Sequence, residues 1–359
     1  MRVLTVIGNR PQFVKAAAVS TRLRAVADEV MVHTGQHYDD ELSKVFFDEL
    51  GLPRPEHRLD AGGGSNTSQT ARMLEGLAPL VAEVAPDHVL VYGDTNSTLA
   101  GALVGAQARV PVAHVEAGMR SFDRSMPEEL NRVLSDHAAD LLLCSSERAA
   151  ENLRAERVGG EIAVVGDVMV DVAQLLAPRA RERTSALDLA GVRPGEFLLV
   201  TAHRAGTVDD PARLIRLVDL LLALPAAVVL PLHPRTRARL VAAGQLVRLE
   251  AAPHLHLLPP LGYLDFTALL VHARAVLTDS GGVQKEAYLA GVPCVTLRDR
   301  TEWTETVDAG WNVVVDLDAR AALAALDRAP PSTRPALYGD GRAGERVVAA
   351  LRDSPRMAA

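Results

Sequence analysis

Carboxylates stand at the ends of two apolar runs in the first half of the chain. Asp94 follows HVLVY, and Glu116 lies in HVEAG, after VPVA. A glutamate that ends an apolar strand is costly unless it has partners, so Glu116 indicates a polar site. Asp94 has an alternative role, because it could cap the helix that begins near Thr95. Together the two carboxylates favour a site at the carboxyl ends of parallel strands.

A basic motif follows the first apolar run. The motif GNRPQ, residues 8–12, precedes a helix that carries Lys15. The N–H groups and positive dipole at the start of a helix favour an anion, and Arg10 and Lys15 add full charges. The alternative is an ordinary strand-to-helix turn with a solvated arginine.

Two further candidates for proton transfer are Glu128 and His203. Glu128 follows a proline that suits a first helical position, in a strongly charged segment. It either pairs with Arg132 on a solvated face or lies on a mobile loop that delivers it to the site as an acid or base. His203, in TAHR after the apolar run FLLV, stands beside an arginine and suits phosphate binding and proton transfer near neutral pH.

The most specific motif is TDSGGVQKE, residues 278–286, which follows an apolar run and opens a helix. Gly281 and Gly282 would let a diphosphate approach the N–H groups at the helix start. Glu286 lies one turn further on the same face and could accept both hydroxyls of a ribose. No Gly-x-Gly-x-x-Gly follows a strand, and the histidines lack zinc-site spacing. The sequence therefore predicts a nucleotide ligand with no metal and no redox cofactor.

Short β-branched runs alternate with helical patterns and would position these motifs. A first series extends from Val3–Ile7 to Ile162–Val165 and a second from Phe197–Thr201 to Cys294–Thr296. This rhythm predicts two doubly wound parallel-sheet α/β domains facing a cleft, with ligands at the carboxyl ends of the strands. We place the domain boundary near residue 168.

Composition is that of a globular protein without nucleic-acid or membrane partners. The 359 residues carry a formal net charge of −7, and no apolar run approaches the length of a membrane span. Cys144 and Cys294 lie in apolar runs and are expected to be reduced core thiols. We expect a cytoplasmic protein.

Taken together, the motifs resemble the non-hydrolysing UDP-N-acetylglucosamine 2-epimerases over essentially the full chain. The matching runs are GNRPQ, TGQHYDD, QTARMLEGL, GDTNSTLA, HVEAGMRSFDRSMPEELNR, TAHR, PLHPRT, TDSGGVQKEA, LRDRTEWTE and YGDG. The resemblance implies the GT-B-type glycosyltransferase fold. Its Rossmann-like domains would span residues 1–168 and 169–341, the second binding UDP, and a last helix in 342–359 would complete the first.

By resemblance, the site residues receive individual roles. Uracil would lie near Phe266, for which core packing is the stronger interpretation from the residues alone, and near the backbone of Leu261. The ribose would contact Glu286, and the diphosphate would contact Ser280, Gly281 and Gly282. The sugar side would involve Arg10, Lys15, Asp94, Glu116, Glu128 and His203. A second, activating UDP-N-acetylglucosamine would involve His37, Arg72 and His233, and a homodimer is usual for the family.

The implied reaction interconverts UDP-N-acetylglucosamine and UDP-N-acetylmannosamine by elimination and re-addition of UDP. Asp94, Glu116 and Glu128 form the pool of proton-transfer groups, and His203 protonates or positions the departing phosphate. The alternatives are a hydrolysing 2-epimerase, a glycosyltransferase of the same fold, and a nucleotide-sugar-binding regulator.

The chain departs from the family pattern at three places. Gln12 replaces an acid and Gly206-Thr207 replaces Glu-Asn, which leaves the sugar specificity open. Trp303 replaces an arginine that many members place near the nucleotide. This change either weakens a phosphate contact or marks a subgroup.

Overall fold

The computed structural model describes residues 1–36 and 50–354. The chain forms two compact units. The first contains Met1–Gln174 and the C-terminal segment from Ala336, and the second is Leu175–Pro335. The break between Gln174 and Leu175 lies inside the helix Val168–Glu182, somewhat later than the boundary predicted near residue 168.

The first unit is built on a seven-stranded parallel sheet with the order β3-β2-β1-β4-β5-β6-β7. Its strands are β1 Arg2–Ile7, β2 Asp28–His33, β3 His57–Arg58, β4 His88–Tyr92, β5 Val112–Ala117, β6 Leu141–Cys144 and β7 Glu161–Val164. Its described helices are Arg10–Arg24, Asn66–Val84, Asn96–Gln107, Pro127–Ala138, Glu147–Glu156, the first part of Val168–Glu182, and Ala343–Asp353.

The second unit repeats this arrangement with six parallel strands in the order β10-β9-β8-β11-β12-β13. The strands are β8 Phe197–Thr201, β9 Ala227–Pro231, β10 Leu255–Leu258, β11 Ala275–Thr278, β12 Cys294–Thr296 and β13 Asn312–Val314. Beyond the shared helix Val168–Glu182, its helices are Ser185–Ala190, Ala205–Val208, Pro211–Ala223, Pro234–Ala242, Leu246–Glu250, Tyr263–His272, Gly281–Ala290, Thr304–Asp308 and Ala319–Leu326.

Both sheets have the doubly wound order, so the predicted α/β fold class is confirmed. The central strands are mainly apolar because helices cover both faces of each sheet, and β4 and β6 are buried at every residue. The sequence did not predict two strands at sheet edges, β3 and β13. Both are short: β3 consists of two polar residues, and β13 spans only three residues.

Strand order reverses between β1 and β4 in the first unit and between β8 and β11 in the second. In open parallel sheets, ligands bind beyond the carboxyl ends of the strands at such a reversal, because the neighbouring loops separate there. The loops of the first unit carry residues 8–12 and Gly93-Asp94. Those of the second carry His203 and the segment 279–282. Each group therefore lies where its own sheet favours a ligand.

The C-terminal helix Ala343–Asp353 belongs to the first unit. The buried carboxylate of Asp171 accepts hydrogen bonds from the N–H groups of Ala343 and Gly344, both 3.0 Å. Gly344 packs so closely that a Cβ there would lie 2.3 Å from the carbonyl oxygen of Ala18. Cys144 and Cys294 are both buried and free, as expected. No described helix is both long and apolar enough to cross a membrane.

Candidate active site

Lys15 and Glu116 form an ion pair at the carboxyl edge of the first sheet. Lys15 comes from the helix after β1, and Glu116 from the end of β5. Their side chains are only 13% and 10% exposed, so little water screens the pair. Gly93, after β4, lies against both: a Cβ there would stand 3.0 Å from Nζ of Lys15 and 3.3 Å from Oε2 of Glu116. The structure thus brings two predicted site residues together.

The backbone of Glu116 is strained. Its φ of +71° lies in the left-handed region, which is unfavourable for a residue with a side chain. The pairing of β5 with β6 shifts register between Val115 and Ala117, so Glu116 occupies an irregularity in the strand. Such positions persist only when the surroundings hold them, and they cluster at functional sites. The bulge directs a carboxylate to the sheet edge that a regular strand would place differently.

Asp94 is paired with a buried arginine. Its carboxylate binds the guanidinium of Arg132, which also binds Glu129 at 3.0 Å. The Asn131 amide donates to the backbone oxygen of Asp94 at 3.1 Å. The helix Pro127–Ala138 therefore holds Asp94 in place, whereas the cap of the following helix is the side chain of Thr95.

Glu128 does not join this group. It is exposed, and no side-chain hydrogen bond or ion pair to it occurs within residues 1–36 and 50–354. Its neighbour Glu129 is buried and accepts from the N–H and hydroxyl groups of Ser121 and from the N–H of Phe122, each at 2.9 Å. Burial opposes ionisation of Glu129, but Ser121 and Arg132 outweigh it and lower the pKa of this carboxyl. The predicted pairing of Arg132 with Glu128 is replaced by its contacts with Glu129 and Asp94.

The buried side chain of Gln12 holds the loop between β1 and the first helix in place through hydrogen bonds. Its side chain is buried, and its oxygen accepts from the N–H of Gly8 at 2.8 Å. Its amide donates to the carbonyl of Tyr92 at 2.9 Å and to the hydroxyl of Thr98 at 3.0 Å. These contacts connect the loops after β1 and β4. Arg10 is the half-buried first residue of the helix Arg10–Arg24.

In the second unit, buried Asp279 ties together the loops after β8 and β11. Its carboxylate accepts from the N–H of His203, at 3.0 and 3.1 Å, and from the N–H of Arg204 at 2.9 Å. The ring of His203 stacks on that of His233, with centroids 5.4 Å apart. His233 in turn caps the helix Pro234–Ala242 by accepting from the N–H of Arg235. His203 is thereby held beside the helix start at Ser280.

The two glycines at that helix start have different surroundings. Ser280 is the N-cap, and its hydroxyl accepts from the N–H of Val283. A Cβ at Gly281 would lie 2.2 Å from Oε1 of Glu302, whereas one at Gly282 would meet only the Ser280 hydroxyl at 3.9 Å. A methyl group at Gly281 would therefore have to displace the Glu302 carboxylate, and the open approach to the helix N–H groups lies at Gly282. Glu286 follows one turn later and accepts from the hydroxyl of Tyr263 at 3.3 Å.

Glu302 introduces a carboxylate beside this helix start. It is paired with Arg298 at 2.8 Å and lies 3.8 Å from Arg204. The next residue, Trp303, is buried, and the ammonium of Lys285 stands 4.4 Å from its ring centroid. A cation over an aromatic face is favourable. Trp303, which replaces an arginine of the family pattern, thus contacts Lys285 through its ring.

The remaining predicted site residues are Phe266, Leu261, Arg72 and His37. Phe266 packs in the core of the second unit with Leu258 and Leu269, and Leu261 packs against this cluster. The guanidinium of Arg72 donates to the carbonyls of Ala61, Gly62 and Gly63, so it holds a loop of its own unit. His37 lies outside the described residues.

Sequence reasoning missed the side chains that position the carboxylates. His114, Arg132 and Asp279 lie in motifs recognised in the sequence, and Asp136 lies just beyond one of them, but their partners are distant in the chain. One local sequence signal for these side chains was that charged residues recur in HVEAG, which belongs to an apolar run, and in the segment after it. Within the described residues, no three His, Cys, Asp or Glu side chains gather as a metal-ligand group.

The comparisons with known proteins agree with these motifs. The chain matches the family model described as UDP-N-acetylglucosamine 2-epimerase over residues 21–352. A Pseudomonas aeruginosa protein described as UDP-2,3-diacetamido-2,3-dideoxy-D-glucuronate 2-epimerase is 45% identical, with 97% of this chain and 98% of that protein covered. A Methanococcus maripaludis UDP-N-acetylglucosamine 2-epimerase homolog is 42% identical, with 98% and 100% covered.

A solved structure supports the same assignment. The Methanocaldococcus jannaschii UDP-GlcNAc 2-epimerase, in complex with UDP-GlcNAc and UDP, matches with a TM-score of 0.91 at 38% identity, over 99% of this chain and 100% of that chain. The sequence resemblance is thus confirmed along the chain's length, and the chain belongs to the UDP-N-acetylglucosamine 2-epimerase family.

Proposed function

We propose that this protein interconverts UDP-N-acetylglucosamine and UDP-N-acetylmannosamine by inversion at C2. The observation that carries the proposal is the ion-paired Lys15 and Glu116, which lie with Asp94 around Gly93 at the reversal point of the first sheet. Pure binding of a nucleotide dianion gains nothing from carboxylates held in this way. Membership of the epimerase family supports the same conclusion.

In this proposal the second unit binds the UDP part of the substrate. The open N–H groups near Gly282 and the N-cap Ser280 would receive the diphosphate, since a helix start favours anions. Glu286, steadied by the Tyr263 hydroxyl, would accept the ribose hydroxyls. His203 would protonate or position the departing phosphate. Uracil would lie near Leu261 and Phe266.

The first unit would supply the proton-transfer groups. The hydrogen at C2 is not acidic, because its neighbour is an acetamido group and not a ketone. Removal of this proton while the C1–O bond breaks forms the C1=C2 double bond, and the bonding pair leaves with UDP. The resulting 2-acetamidoglucal is planar at C2, so a proton can return to the opposite face as UDP adds again. We assign these transfers to Asp94, Glu116 and Glu128, with the weakest support for exposed Glu128.

Proton NMR of UDP-N-acetylglucosamine incubated with the protein in deuterated water tests the proposal. The expected result is loss of the C2 proton signal together with appearance of the UDP-linked N-acetylmannosamine. Free N-acetylmannosamine and UDP would instead identify a hydrolysing enzyme, and turnover only with an added acceptor would identify a glycosyltransferase. Binding of the nucleotide sugar without C2 exchange would reject the epimerase function in favour of a binding protein.

The 45% identity to the Pseudomonas aeruginosa protein favours a second candidate substrate, UDP-2,3-diacetamido-2,3-dideoxy-D-glucuronate. Both sugars carry an acetamido group at C2, so the same elimination applies. They differ at C3 and C6, where the diacetamido sugar has an acetamido group and a carboxylate. Parallel kcat/KM measurements on the two nucleotide sugars decide between them, and a ratio above about ten, or 1.4 kcal/mol, identifies the preferred substrate.

Two further expectations from the resemblance remain proposals. A second UDP-N-acetylglucosamine would activate the enzyme through Arg72, His233 and His37, which predicts a sigmoidal rate curve that becomes hyperbolic in Arg72→Ala. A homodimer is supported by the exposed side chains of Leu130 and Leu134, one turn apart on the helix Pro127–Ala138. Sedimentation equilibrium of wild type and Leu130→Arg/Leu134→Arg tests this surface.

A further inference from the structure

His114 is a fully buried histidine within β5, two residues before Glu116. Its Nε2 lies 2.7 Å from the backbone oxygen of Gly93, and its Nδ1 lies 2.7 Å from Oδ1 of Asp136. A carbonyl oxygen can only accept, so Nε2 carries a proton and donates it to Gly93. The orientation of the ring is thereby fixed at both nitrogens.

Asp136 has the contacts of an ionised carboxylate. Its Oδ2 accepts from the N–H of Gly118 at 3.1 Å and from the guanidinium of Arg120 at 2.7 Å. An ionised carboxylate also accepts, so Nδ1 carries a proton as well. Both ring nitrogens then donate, and His114 is an imidazolium.

The atoms that this cluster holds are the backbone atoms that direct the two site carboxylates. The Gly93 oxygen that His114 binds belongs to the peptide group that leads into Asp94. The Gly118 N–H that Asp136 binds lies two residues beyond strained Glu116. Gly93 also contacts the Lys15–Glu116 pair, so rotation of its peptide group would disturb all three site residues.

We infer that His114 is a positioning residue: as an imidazolium held by Asp136, it fixes the Gly93 carbonyl and thereby the directions of Asp94 and Glu116. The inference rests on the proposed function, because it assigns His114 to the alignment of the proton-transfer groups. His114 itself does not touch substrate. A displacement of about 1 Å at such groups is enough to reduce turnover about 100-fold.

The charges around His114 are compatible with a buried cation. Asp136 faces it from the helix Pro127–Ala138, and Arg120 lies beyond that carboxylate, paired with Glu156 through two contacts of 2.7 Å. Lys15 and Glu116 are the charged groups at Gly93. Two cations and two anions therefore balance within the cluster of His114, Arg120, Asp136 and Glu156, which offsets the cost of burial.

Two variants of His114 separate its two hydrogen bonds. The amide of glutamine reaches the position of Nε2, so His114→Gln keeps a donor for Gly93. The amide of asparagine reaches only Nδ1, so His114→Asn keeps the contact with Asp136 and loses Gly93. We expect kcat to fall about 100-fold in His114→Asn with KM nearly unchanged, and no more than about 10-fold in His114→Gln. His137→Gln, which alters an exposed histidine of the neighbouring helix, is the control and should match wild type.

Equal kcat values for the two His114 variants, or a change mainly in KM, would overturn the positioning role. Urea unfolding checks that the first unit of each variant is folded. If His114→Asn does not fold, Asp136→Asn provides the comparison. Its amide nitrogen would face Nδ1 and leave a neutral ring that still donates to Gly93, so kcat should fall no more than about 10-fold.

Nitrogen-15 NMR of histidine-labelled wild-type protein tests the charge directly. Both ring nitrogens of His114 should show one-bond proton couplings at neutral pH, and an unprotonated Nδ1 would contradict the imidazolium. This measurement needs no turnover. Absence of C2 exchange by wild type would therefore reject the proposed function, while the protonation of His114 would still be decided independently.

Discussion

At the scale of single residues, the ion pair between Lys15 and Glu116 is the most constrained feature of the candidate site. Glu116 has a left-handed backbone at a strand irregularity, and both side chains are largely shielded from water. Strain of this kind costs about 1–3 kcal/mol and requires compensating contacts. Lys15 supplies one of them.

Replacement of Lys15 by methionine should remove the ammonium group that pairs with the shielded Glu116 carboxylate. Loss of one partner of such a pair costs about 3 kcal/mol, which urea unfolding would measure. Lys15→Met/Glu116→Gln should recover most of this stability, because the carboxylate charge that lost its ammonium partner is removed as well, yet should stay inactive in the C2-exchange assay. A double variant as unstable as Lys15→Met would show that the pair is not the source of the effect.

Gln12 is a second residue whose role follows from its contacts. Because its amide donates to Tyr92 and Thr98, a glutamate there would place carboxylate oxygens against the Tyr92 carbonyl. We expect Gln12→Glu to lose about 2 kcal/mol of unfolding free energy and to leave the preference between nucleotide sugars unchanged. If Gln12→Glu instead kept full stability and changed the preference between nucleotide sugars, Gln12 would be a determinant of sugar specificity. The contacts favour a structural role.

At the scale of elements, the helix Pro127–Ala138 has an unusual distribution of side chains. It buries Glu129, Asn131, Arg132 and Asp136, while Leu130 and Leu134 are exposed. The polar side faces inward because its residues bind the loops after β4 and β5. The helix thus acts as a support for Asp94 and His114, and its apolar residues are left at the surface.

The helix start at residues 281–282 gives a matched pair of glycine substitutions. Gly281→Ala should lose about 1–3 kcal/mol of unfolding free energy, because its methyl group would meet the buried Glu302 carboxylate. Gly282→Ala should keep wild-type stability, since its Cβ direction is open, but should bind UDP more weakly because the methyl group blocks the N–H groups. Chemical denaturation and calorimetry measure the two effects. The opposite order of stabilities would contradict the packing argument.

At the scale of the whole molecule, the first unit depends on buried ionised carboxylates. Contacts lower the pKa values of Asp136 and Glu129 below those of free side chains. A carboxyl group whose pKa is lower in the folded than in the unfolded protein stabilises the fold. This stabilisation is fully present above the pKa of the unfolded protein, about 4, and is lost as pH falls through the pKa of the folded protein. Asp171 acts in the opposite sense, because burial raises its pKa.

We therefore expect acid unfolding to begin below about pH 4, with little change in unfolding free energy between about pH 5 and 6. In Asp136→Asn this carboxyl no longer titrates, so the dependence of unfolding free energy on pH below about 4 should be shallower. Urea unfolding followed at several pH values provides the measurement. An unchanged slope in Asp136→Asn would show that Asp136 is not among the groups that control acid stability.

The fold class and the family could be predicted from the amino-acid order alone. Apolar runs of β-branched residues identify the central strands because those strands are covered on both faces, and motifs such as TDSGGVQKE are contiguous in the chain. The same local signal fails at two of the four edge strands, β3 and β13. Strand β3 consists of two polar residues and β13 spans only three residues, so each is too short to be recognised as a strand.

Only the tertiary structure decided which charged side chains act together. Glu128 was an equal candidate with Glu116 by residue type, but Glu116 meets Lys15 across 101 positions of the chain, whereas Glu128 is exposed. Likewise, Gln12 reaches Tyr92 and His114 reaches Asp136 through the parallel sheet and its crossover helices. Parallel strands bring distant segments of the chain to one edge of the sheet, so the spacing of residues along the chain does not reveal these partners. The position of each carboxylate depends on contacts that form only when the sheet is complete.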